Sequence, residues 1–203
     1  MGSAKDIRIE PIERRYADAL VKRVHYSGKV VNNSQLHLGV FYKGRLEGAM
    51  QFGPSLDKRK IQGLVRDTPW NGFLELNRMA FSEALPRNSE SRALGVAMRL
   101  IRQHAPHVQW IVSFADGAQC GDGTIYRAAG FILTGIRKNT SLWSLPGETD
   151  AAEHRRVSLT DPSSSRQKLA AHPCESIKSS GIPLSQDFNY DICIALILPP
   201  VND

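Results

Sequence analysis

The 203-residue sequence contains only three cysteines, Cys120, Cys174 and Cys193. Their number and spacing match neither a disulfide framework nor a zinc site, so we expect a reducing, intracellular environment. The chain also has no run of about twenty apolar residues, which argues against a membrane-spanning helix. Its first six residues lack the apolar stretch of a secretory signal. Together these absences predict a cytoplasmic protein that is not anchored in a membrane.

Acidic residues are scarce relative to basic ones. The chain has 20 Asp and Glu against 26 Lys and Arg, which gives a net charge of +6 and a pI near 9.4. Such an excess favours a polyanionic partner. The basic residues cluster in predicted loops and at the ends of predicted elements, where they are able to follow a phosphate backbone. For any single cluster, ordinary solvated charge is an equally good explanation.

The pattern of apolar residues predicts a mixed α/β (α+β) domain over residues 1–146. A C-terminal extension, residues 147–203, is expected to pack on it, because its own apolar content is too small for a separate core. Strands are predicted over residues 7–12, 36–42, 46–52, 73–81, 110–115 and 192–198, and a further strand opening at residue 131 is predicted to pair with residues 140–145. Helices are predicted over 13–24, 89–104, 123–129 and 166–171, and a hairpin turn at 43–45. Residues 53–55 are predicted to end the hairpin, and a mobile basic loop follows them through residue 70.

The loop before the longest predicted helix is polar and basic. It reads Pro-Arg-Asn-Ser-Glu-Ser-Arg over residues 86–92. A helix start leaves backbone N–H groups without partners and carries a partial positive charge, so it attracts anions. We therefore predict a phosphate or pyrophosphate site, with Asn88 or Ser89 as the helix N-cap. The predicted ligands are Arg87, Asn88, Ser89, Ser91 and Arg92.

Arg78 lies on a strand face that is predicted to be otherwise apolar. A buried guanidinium needs an anionic partner, so Arg78 is expected to meet a carboxylate or a cofactor. Glu75, on the opposite face of the same strand, is a candidate general base for ordinary acyl transfer.

The predicted order of elements resembles the GNAT-type acyltransferase fold, with a central mixed, mostly antiparallel sheet flanked by helices. Residues 126–131, Tyr-Arg-Ala-Ala-Gly-Phe, are similar to that family's Tyr-x-x-x-Gly-Phe signature. The resemblance implies that the 86–92 loop grips the pyrophosphate of acyl-coenzyme A and that Tyr126 is a general acid towards the departing thiolate. Here the loop carries arginines and serines where the family has glycines. Packing of Tyr126 into the core is the alternative explanation.

Five short blocks, in order, resemble the Mom DNA-modification proteins of Mu-like phages. They are His-Tyr-Ser-Gly at 25–28, Leu-Glu-Leu-Asn-Arg-Met at 74–79, the 86–92 loop, Ser-Phe-Ala-Asp at 113–116 and Gly-Thr-Ile-Tyr at 123–126. The resemblance implies a divergent GNAT-type fold and conversion of adenine to N6-carbamoylmethyladenine in double-stranded phage DNA, which shields that DNA from host restriction. It also implies acetyl-coenzyme A and iron as candidate cofactors, and we add a homodimer as an expectation.

Carried onto this sequence, the resemblance implies catalytic roles for His25, Tyr26, Asp116 and Tyr126. The first three would be the iron ligands, since N and O donors suit that metal. Simpler explanations stay open, because a His at a helix end is stabilised by the helix dipole and an Asp after a strand often bonds to nearby N–H groups. Arg78 would join the 86–92 loop in binding the cofactor. The predicted DNA-binding residues are Lys22, Lys29, Lys58, Arg59 and Lys60.

The adenine amine is stacked and paired inside a duplex, so the base would have to be extruded into a pocket. Tyr26, Tyr42 and Trp70 are candidates for its aromatic wall. Two other functions stay open. One is a conventional GNAT acetyltransferase acting on a small amine or a protein lysine, suggested by Glu75 with Tyr126. The other is a non-catalytic DNA-binding protein on this scaffold, suggested by the loop without glycines.

Overall fold

The computed structural model describes residues 2–116, 123–138, 143–144, 167–168 and 190–198. The chain forms two compact units. The first comprises Met1–Ser113, Ile125–Thr134 and Ile194–Asp203, and the second comprises Phe114–Thr124 and Gly135–Cys193. No helix of the described ranges is long and apolar enough to cross a membrane. The predicted division at residue 146 stays a prediction.

The architecture is a seven-stranded sheet with helices, as the sequence predicts. The strands are β1 (Arg8–Pro11), β2 (Leu36–Tyr42), β3 (Arg45–Gly53), β4 (Phe73–Phe81), β5 (Trp110–Asp116), β6 (Ile132–Lys138) and β9 (Tyr190–Ile197). Their order is β1-β2-β3-β4-β5-β9-β6, with antiparallel pairs from β1 to β4 and a parallel β4–β5 pair. The helices are α1 (Arg14–Val24), α2 (Lys58–Gln62), α3 (Ser89–His104) and α4 (Thr124–Ala128), and a 3-10 turn spans Ala4–Asp6. The mixed, mostly antiparallel sheet is confirmed.

Local sequence signals explain most of these elements. Lys43 and Gly44 both have positive φ angles, 49° and 77°, which is the backbone of a two-residue hairpin turn whose twist matches the strands it joins. The helix α3 buries one apolar stripe against the sheet and leaves its arginines outside. Its buried apolar residues are Ala93, Leu94, Ala97, Met98 and Ile101. In β5, Trp110, Ile111 and Val112 are fully buried, as expected for an inner strand.

A β-bulge interrupts β4 at Asn77. Gln51 of β3 pairs with Arg78, but the next residue, Phe52, pairs with Leu76, so Asn77 has no partner on β3. The parallel pairing of β4 with β5 ends just before the bulge, at Glu75 and Val112. The predicted simple alternation of β4 faces is therefore wrong, because the bulge shifts the register halfway along the strand.

Three other sequence predictions need correction. The basic loop contains the short helix α2. The neighbour of β6 in the sheet is β9, and the strand β7 (Trp143–Ser144) pairs instead with β8 (Gln167–Lys168). Residues 167–168 are thus extended, not helical as predicted for 166–171. For the two strand corrections the partner strand is distant in sequence, so the local pattern carries no signal for it.

Candidate functional site

A basic pocket of about 640 Å³ lies at the start of α3. Its walls are residues 2–5, the 86–92 loop with the first turns of α3, and Ala128 of α4. Four of its lining residues are cationic, Lys5, Arg87, Arg92 and Arg99, and none of them forms an ion pair with a described residue. Among the described residues, no acidic side chain lines this pocket. Four cations around a helix start, with no carboxylate partner in the described part of the chain, make a site for a polyanion.

The helix start is shaped by backbone geometry. Asn88 is the N-cap residue with a left-handed φ of 67°, and its side chain makes no capping hydrogen bond but lines the pocket. The first helical bond is the one that the Arg92 N–H donates to the Asn88 carbonyl, at 3.2 Å. The N–H groups of Glu90 and Ser91 precede that bond, so the helix itself gives them no acceptor.

The predicted phosphate ligands divide into two groups. Arg87, Asn88, Ser91 and Arg92 all line the basic pocket. Ser89 does not, because its side chain is fully buried and its hydroxyl donates a 2.6 Å hydrogen bond to the Pro86 carbonyl. Ser89 therefore closes the turn that precedes α3. Arg78 is also absent from the pocket lining.

His25 and Tyr26 open the loop between α1 and β2, residues 25–35, which we call the α1–β2 loop. Their rings stack with centroids 4.3 Å apart, and Tyr26 is 54% exposed. The Nδ1 atom of His25 lies 2.8 Å from the Ser27 hydroxyl and 3.2 Å from the Ser27 backbone N–H. The two Ser27 contacts therefore fix the orientation of the imidazole.

The α1–β2 loop is fastened to the bulge of β4. Arg78 donates a hydrogen bond of 2.9 Å from Nε to the Lys29 carbonyl, and Ser34 donates one of 3.0 Å to Oδ1 of Asn77. Gly53 permits this approach, since a Cβ there would lie 2.5 Å from the Asn33 carbonyl oxygen. The partners of Arg78 thus include backbone carbonyls, which the sequence analysis did not anticipate.

Tyr126 reaches the point where β4 and β5 stop pairing. Its hydroxyl forms a hydrogen bond with Ser113, which directly follows the last paired residue of β5, Val112. Burial raises the pKa of the Tyr126 phenol above its ordinary value of 10.0, and the Ser113 hydrogen bond opposes that shift without cancelling it. The ring packs edge-on against Phe131, at 5.6 Å between centroids. The Tyr126 phenol is therefore neutral at ordinary pH.

Two of the three predicted iron ligands, His25 and Tyr26, are neighbours in the α1–β2 loop. The side chain of Asp116 lies outside the described residues, so the predicted set of three stays a prediction. Within the ranges that are described, no group of three or more His, Cys, Asp or Glu side chains is arranged to hold a metal ion. The Ser27 backbone N–H donates to Nδ1 of His25, so the neutral imidazole carries its proton on Nε2. A metal ion at Nε2 would require the other tautomer, in which Nδ1–H donates to the Ser27 hydroxyl.

The predicted DNA-binding residues occupy two places. Lys22 lies in the last turn of α1 and Lys29 in the α1–β2 loop, and both are exposed. Lys58, Arg59 and Lys60 all belong to α2. Lys60 pairs with Asp57 at 2.9 Å, whereas Arg59 is exposed and forms no ion pair with a described residue.

Sequence reasoning missed three residues of these arrangements. Arg99 is seven residues after Arg92 on α3, a spacing that places both on one helix face and that would have suggested it. Lys5 and Ser113 gave no such signal. Lys5 reaches the pocket through the fold of the N-terminal segment, and Ser113 is a small polar residue within an apolar strand.

Comparison with protein families adds a direct finding. The model of the Mom protein family matches residues 6–190. The protein named methylcarbamoylase Mom of Escherichia phage Mu is 41% identical over 146 residues, which are 71% of this chain. The matched region covers 60% of the length of that curated relative.

Solved structures share the fold at low sequence identity. An acetyltransferase from Bacillus subtilis in complex with CoA superposes with a TM-score of 0.55 at 11% identity, covering 95% of this chain and 99% of that one. A GNAT family acetyltransferase from Elizabethkingia anophelis with acetyl-CoA bound gives 0.50 at 13% identity, covering 95% and 99%. The predicted GNAT-like fold is thereby confirmed, and at these identities the likeness concerns the fold alone.

Proposed function

The chain belongs to the Mom protein family, and we propose that it is a phage DNA-modifying enzyme that converts adenine to N6-carbamoylmethyladenine. The observation that carries the proposal is the match to the family over residues 6–190, together with 41% identity to a protein named methylcarbamoylase. The proposed substrate is double-stranded DNA, and the proposed benefit is protection of phage DNA from host restriction enzymes. The proposed place of action is the host cytoplasm.

We assign acetyl-coenzyme A to the basic pocket as the proposed cofactor. The support is chemical: a coenzyme A pyrophosphate carries negative charge, and the pocket offers Lys5, Arg87, Arg92 and Arg99 at a helix start. The acyl end of the cofactor would extend towards the place where β4 and β5 separate. The Tyr126 hydroxyl lies at that place through its bond to Ser113.

Tyr126 is the proposed general acid. A phenol whose pKa is raised by burial stays protonated at neutral pH, so it is able to give a proton to a thiolate that leaves the coenzyme. His25 and Tyr26 are proposed to act on the adenine side, because the α1–β2 loop presents them next to one another with Tyr26 half exposed.

Iron, where it takes part, would be held by His25, the Tyr26 hydroxyl and Asp116. A bound iron would act as a Lewis acid towards an oxygen or nitrogen atom of the substrate. The chain's own contribution is the Ser27 contact that orients the His25 ring. Iron content of protein loaded under anaerobic conditions, compared with His25→Ala, tests this assignment without any activity assay. Equal content in both proteins would contradict it.

Restriction digestion tests the proposed function in cells. Plasmid DNA from cells that express the protein should resist enzymes whose recognition sites contain adenine, and it should remain sensitive to enzymes whose sites contain only G and C. DNA from cells expressing a folded Tyr126→Phe variant serves as the control and should be cut at both kinds of site. Full cleavage of the first DNA, with folded protein present, would contradict the proposal.

A conventional acetyltransferase on the same fold predicts a different result. Thiol would be released from acetyl-coenzyme A in the presence of a small amine or a lysine peptide, and DNA would have no effect on that release. A non-catalytic DNA-binding protein predicts no thiol release with any acceptor. The digestion and thiol assays together separate these three functions.

A further inference from the structure

The segment between β3 and β4, residues 54–72, presents large apolar side chains to solvent. We call it the α2 segment. Leu56 is 86% exposed, Trp70 is 51% exposed and Leu64 is 40% exposed. Large exposed apolar groups that lie together mark an interaction surface more often than chance placement does.

Trp70 is exposed although hydrogen bonds hold the chain just before it firmly in place. The indole N–H of Trp110, which is fully buried, donates a 3.0 Å hydrogen bond to the Thr68 hydroxyl. That hydroxyl donates in turn to the Val65 carbonyl at 2.7 Å, and the Gln62 side chain donates to the Thr68 carbonyl at 2.6 Å. The segment is therefore tied to the core two residues before Trp70, and the indole is held outward.

One cation contacts this exposed indole, and two further exposed cations belong to the same segment. The Lys58 ammonium lies 4.6 Å from the centroid of the Trp70 ring and 3.2 Å from the Asn71 side-chain oxygen. Arg59 and Arg66 are exposed and form no ion pair with a described residue. An exposed aromatic ring beside a lysine, on a segment with two further exposed arginines, suits a nucleic acid, because bases stack on the ring while phosphates meet the cations.

The position of the α2 segment also fits a DNA-facing role. The segment begins at Pro54, whose carbonyl accepts a 2.7 Å hydrogen bond from the Asn33 side chain of the α1–β2 loop. The segment therefore adjoins the loop that carries His25 and Tyr26. It leads into the start of β4, whereas the basic pocket lies beyond the end of β4. The coenzyme in the basic pocket and the DNA would then approach opposite ends of β4.

We propose that Trp70 is a stacking residue for DNA, contacting a base beside the extruded adenine, while Lys58 and Arg59 bind the flanking phosphates. This inference rests on the proposed function for the identity of the target base, but its binding step needs no catalysis. Extrusion leaves neighbouring bases unstacked, and an aromatic side chain that covers one of them offsets part of that cost.

Fluorescence anisotropy with a labelled duplex, without coenzyme, tests the proposal. We expect Trp70→Ala to weaken binding about 5- to 150-fold, the range of one base–aromatic stack. Trp70→Phe should retain most of the affinity and lose the DNA-induced quenching of tryptophan fluorescence. Tyr16→Ala is the matched control, because Tyr16 is 48% exposed and also lies beside a cation, Arg15, at 4.8 Å. Its affinity should equal that of the unaltered protein.

Salt dependence separates stacking from charge. Arg59→Ala should reduce the slope of log affinity against log salt by about one, whereas Trp70→Ala should leave the slope unchanged. Unchanged affinity of Trp70→Ala would overturn the proposal. A concentration-dependent dimer in sedimentation that Trp70→Ala abolishes would also overturn it, because the indole would then belong to a protein interface. If Trp70 supports DNA binding but adenine stays unmodified, the proposed function fails and this inference stands.

Discussion

The Arg78 guanidinium joins the bulge of β4 to the α1–β2 loop, with Nε donating to the Lys29 carbonyl at 2.9 Å and Nη1 donating to the Asn77 carbonyl at 2.7 Å. This relationship gives Arg78 a role in positioning the loop that carries His25 and Tyr26. The loop's place is therefore set by a strand that is nearly fifty residues further along the chain.

Removing this link should loosen the loop. We expect Arg78→Ala to raise the amide hydrogen exchange rates of residues 26–31 roughly tenfold, since a hydrogen bond from a charged donor is worth about 1.5 kcal/mol. Arg78→Lys keeps the charge but lacks the planar guanidinium with its several N–H donors. Its exchange rates should lie between those of the unaltered protein and those of Arg78→Ala. Unchanged exchange in the loop, combined with weaker binding of coenzyme A, would instead support the sequence-based assignment of Arg78 to the cofactor.

The basic pocket should bind coenzyme A through its arginines. Arg92→Ala is expected to weaken binding about tenfold at low ionic strength, and added salt should reduce the difference. Isothermal titration calorimetry with coenzyme A measures this. Arg23→Ala is a suitable control, since Arg23 is exposed on α1 and lies outside the pocket. Equal losses in both variants would contradict a specific site.

Two serines of the helix start should respond differently. Ser91 lines the pocket and Ser89 does not. Ser91→Ala should therefore weaken the binding of coenzyme A with little change in the free energy of unfolding. Ser89→Ala should lower the free energy of unfolding by about 1 kcal/mol, because the Pro86 carbonyl loses the hydroxyl donor and keeps only the Ser89 backbone N–H. Calorimetric titration and urea unfolding of both variants check this, and the opposite pattern would count against the described turn.

Tyr126→Phe should lower the turnover rate by about 10²- to 10⁴-fold while the fold persists. Because burial raises the pKa of Tyr126 above 10.0, its phenol stays protonated from pH 7 to pH 9. Deprotonation of Tyr126 should therefore cause no fall in the turnover rate between pH 7 and pH 9. A Tyr126-dependent fall in rate between pH 7 and pH 9 would contradict a protonated phenol.

His37 should make stability fall in mild acid. Burial lowers the pKa of His37 below its ordinary value of 6.5, and Asp18 opposes that shift. As the pH falls below about 6.5, the unfolded chain takes up the proton first, so the free energy of unfolding decreases until the lowered pKa of the folded state is passed. Urea unfolding at pH 7.5 and pH 5.5 measures the decrease. His37→Gln should show a smaller decrease in the free energy of unfolding between these two pH values. An equal decrease in both proteins would contradict the assignment of this pH dependence to His37.

Local sequence patterns predicted much of the fold. The helix α3, the β2–β3 hairpin and the buried strand β5 were evident because their signals lie within each element: an apolar stripe, a turn glycine and an apolar run. The late strand β9 was predicted as a strand, but its insertion between β5 and β6 was not. Strand order depends on partners far apart in the chain, and one strand's sequence does not name its neighbour.

In the candidate site, too, features with a local sequence signal were predictable, and features that depend on distant partners were not. Arg87 and Arg92 were predictable because a basic loop that opens a helix is a local feature. The bulge at Asn77, which brings Arg78 to Lys29, depends on the register of β3 against β4 and has no local signal. Ser113 likewise has no local signal, because only its hydrogen bond with Tyr126 links it to the site.

Mass spectrometry of nucleosides tests the central claim most directly. DNA from cells that express the protein is digested to nucleosides, and the deoxyadenosine fraction is compared with that from cells expressing folded Tyr126→Phe. The account predicts a deoxyadenosine species that is heavier by one carbamoylmethyl group and carries it at N6, present with the unaltered protein and depleted with the variant. Unmodified deoxyadenosine alone, with folded protein present, would contradict it.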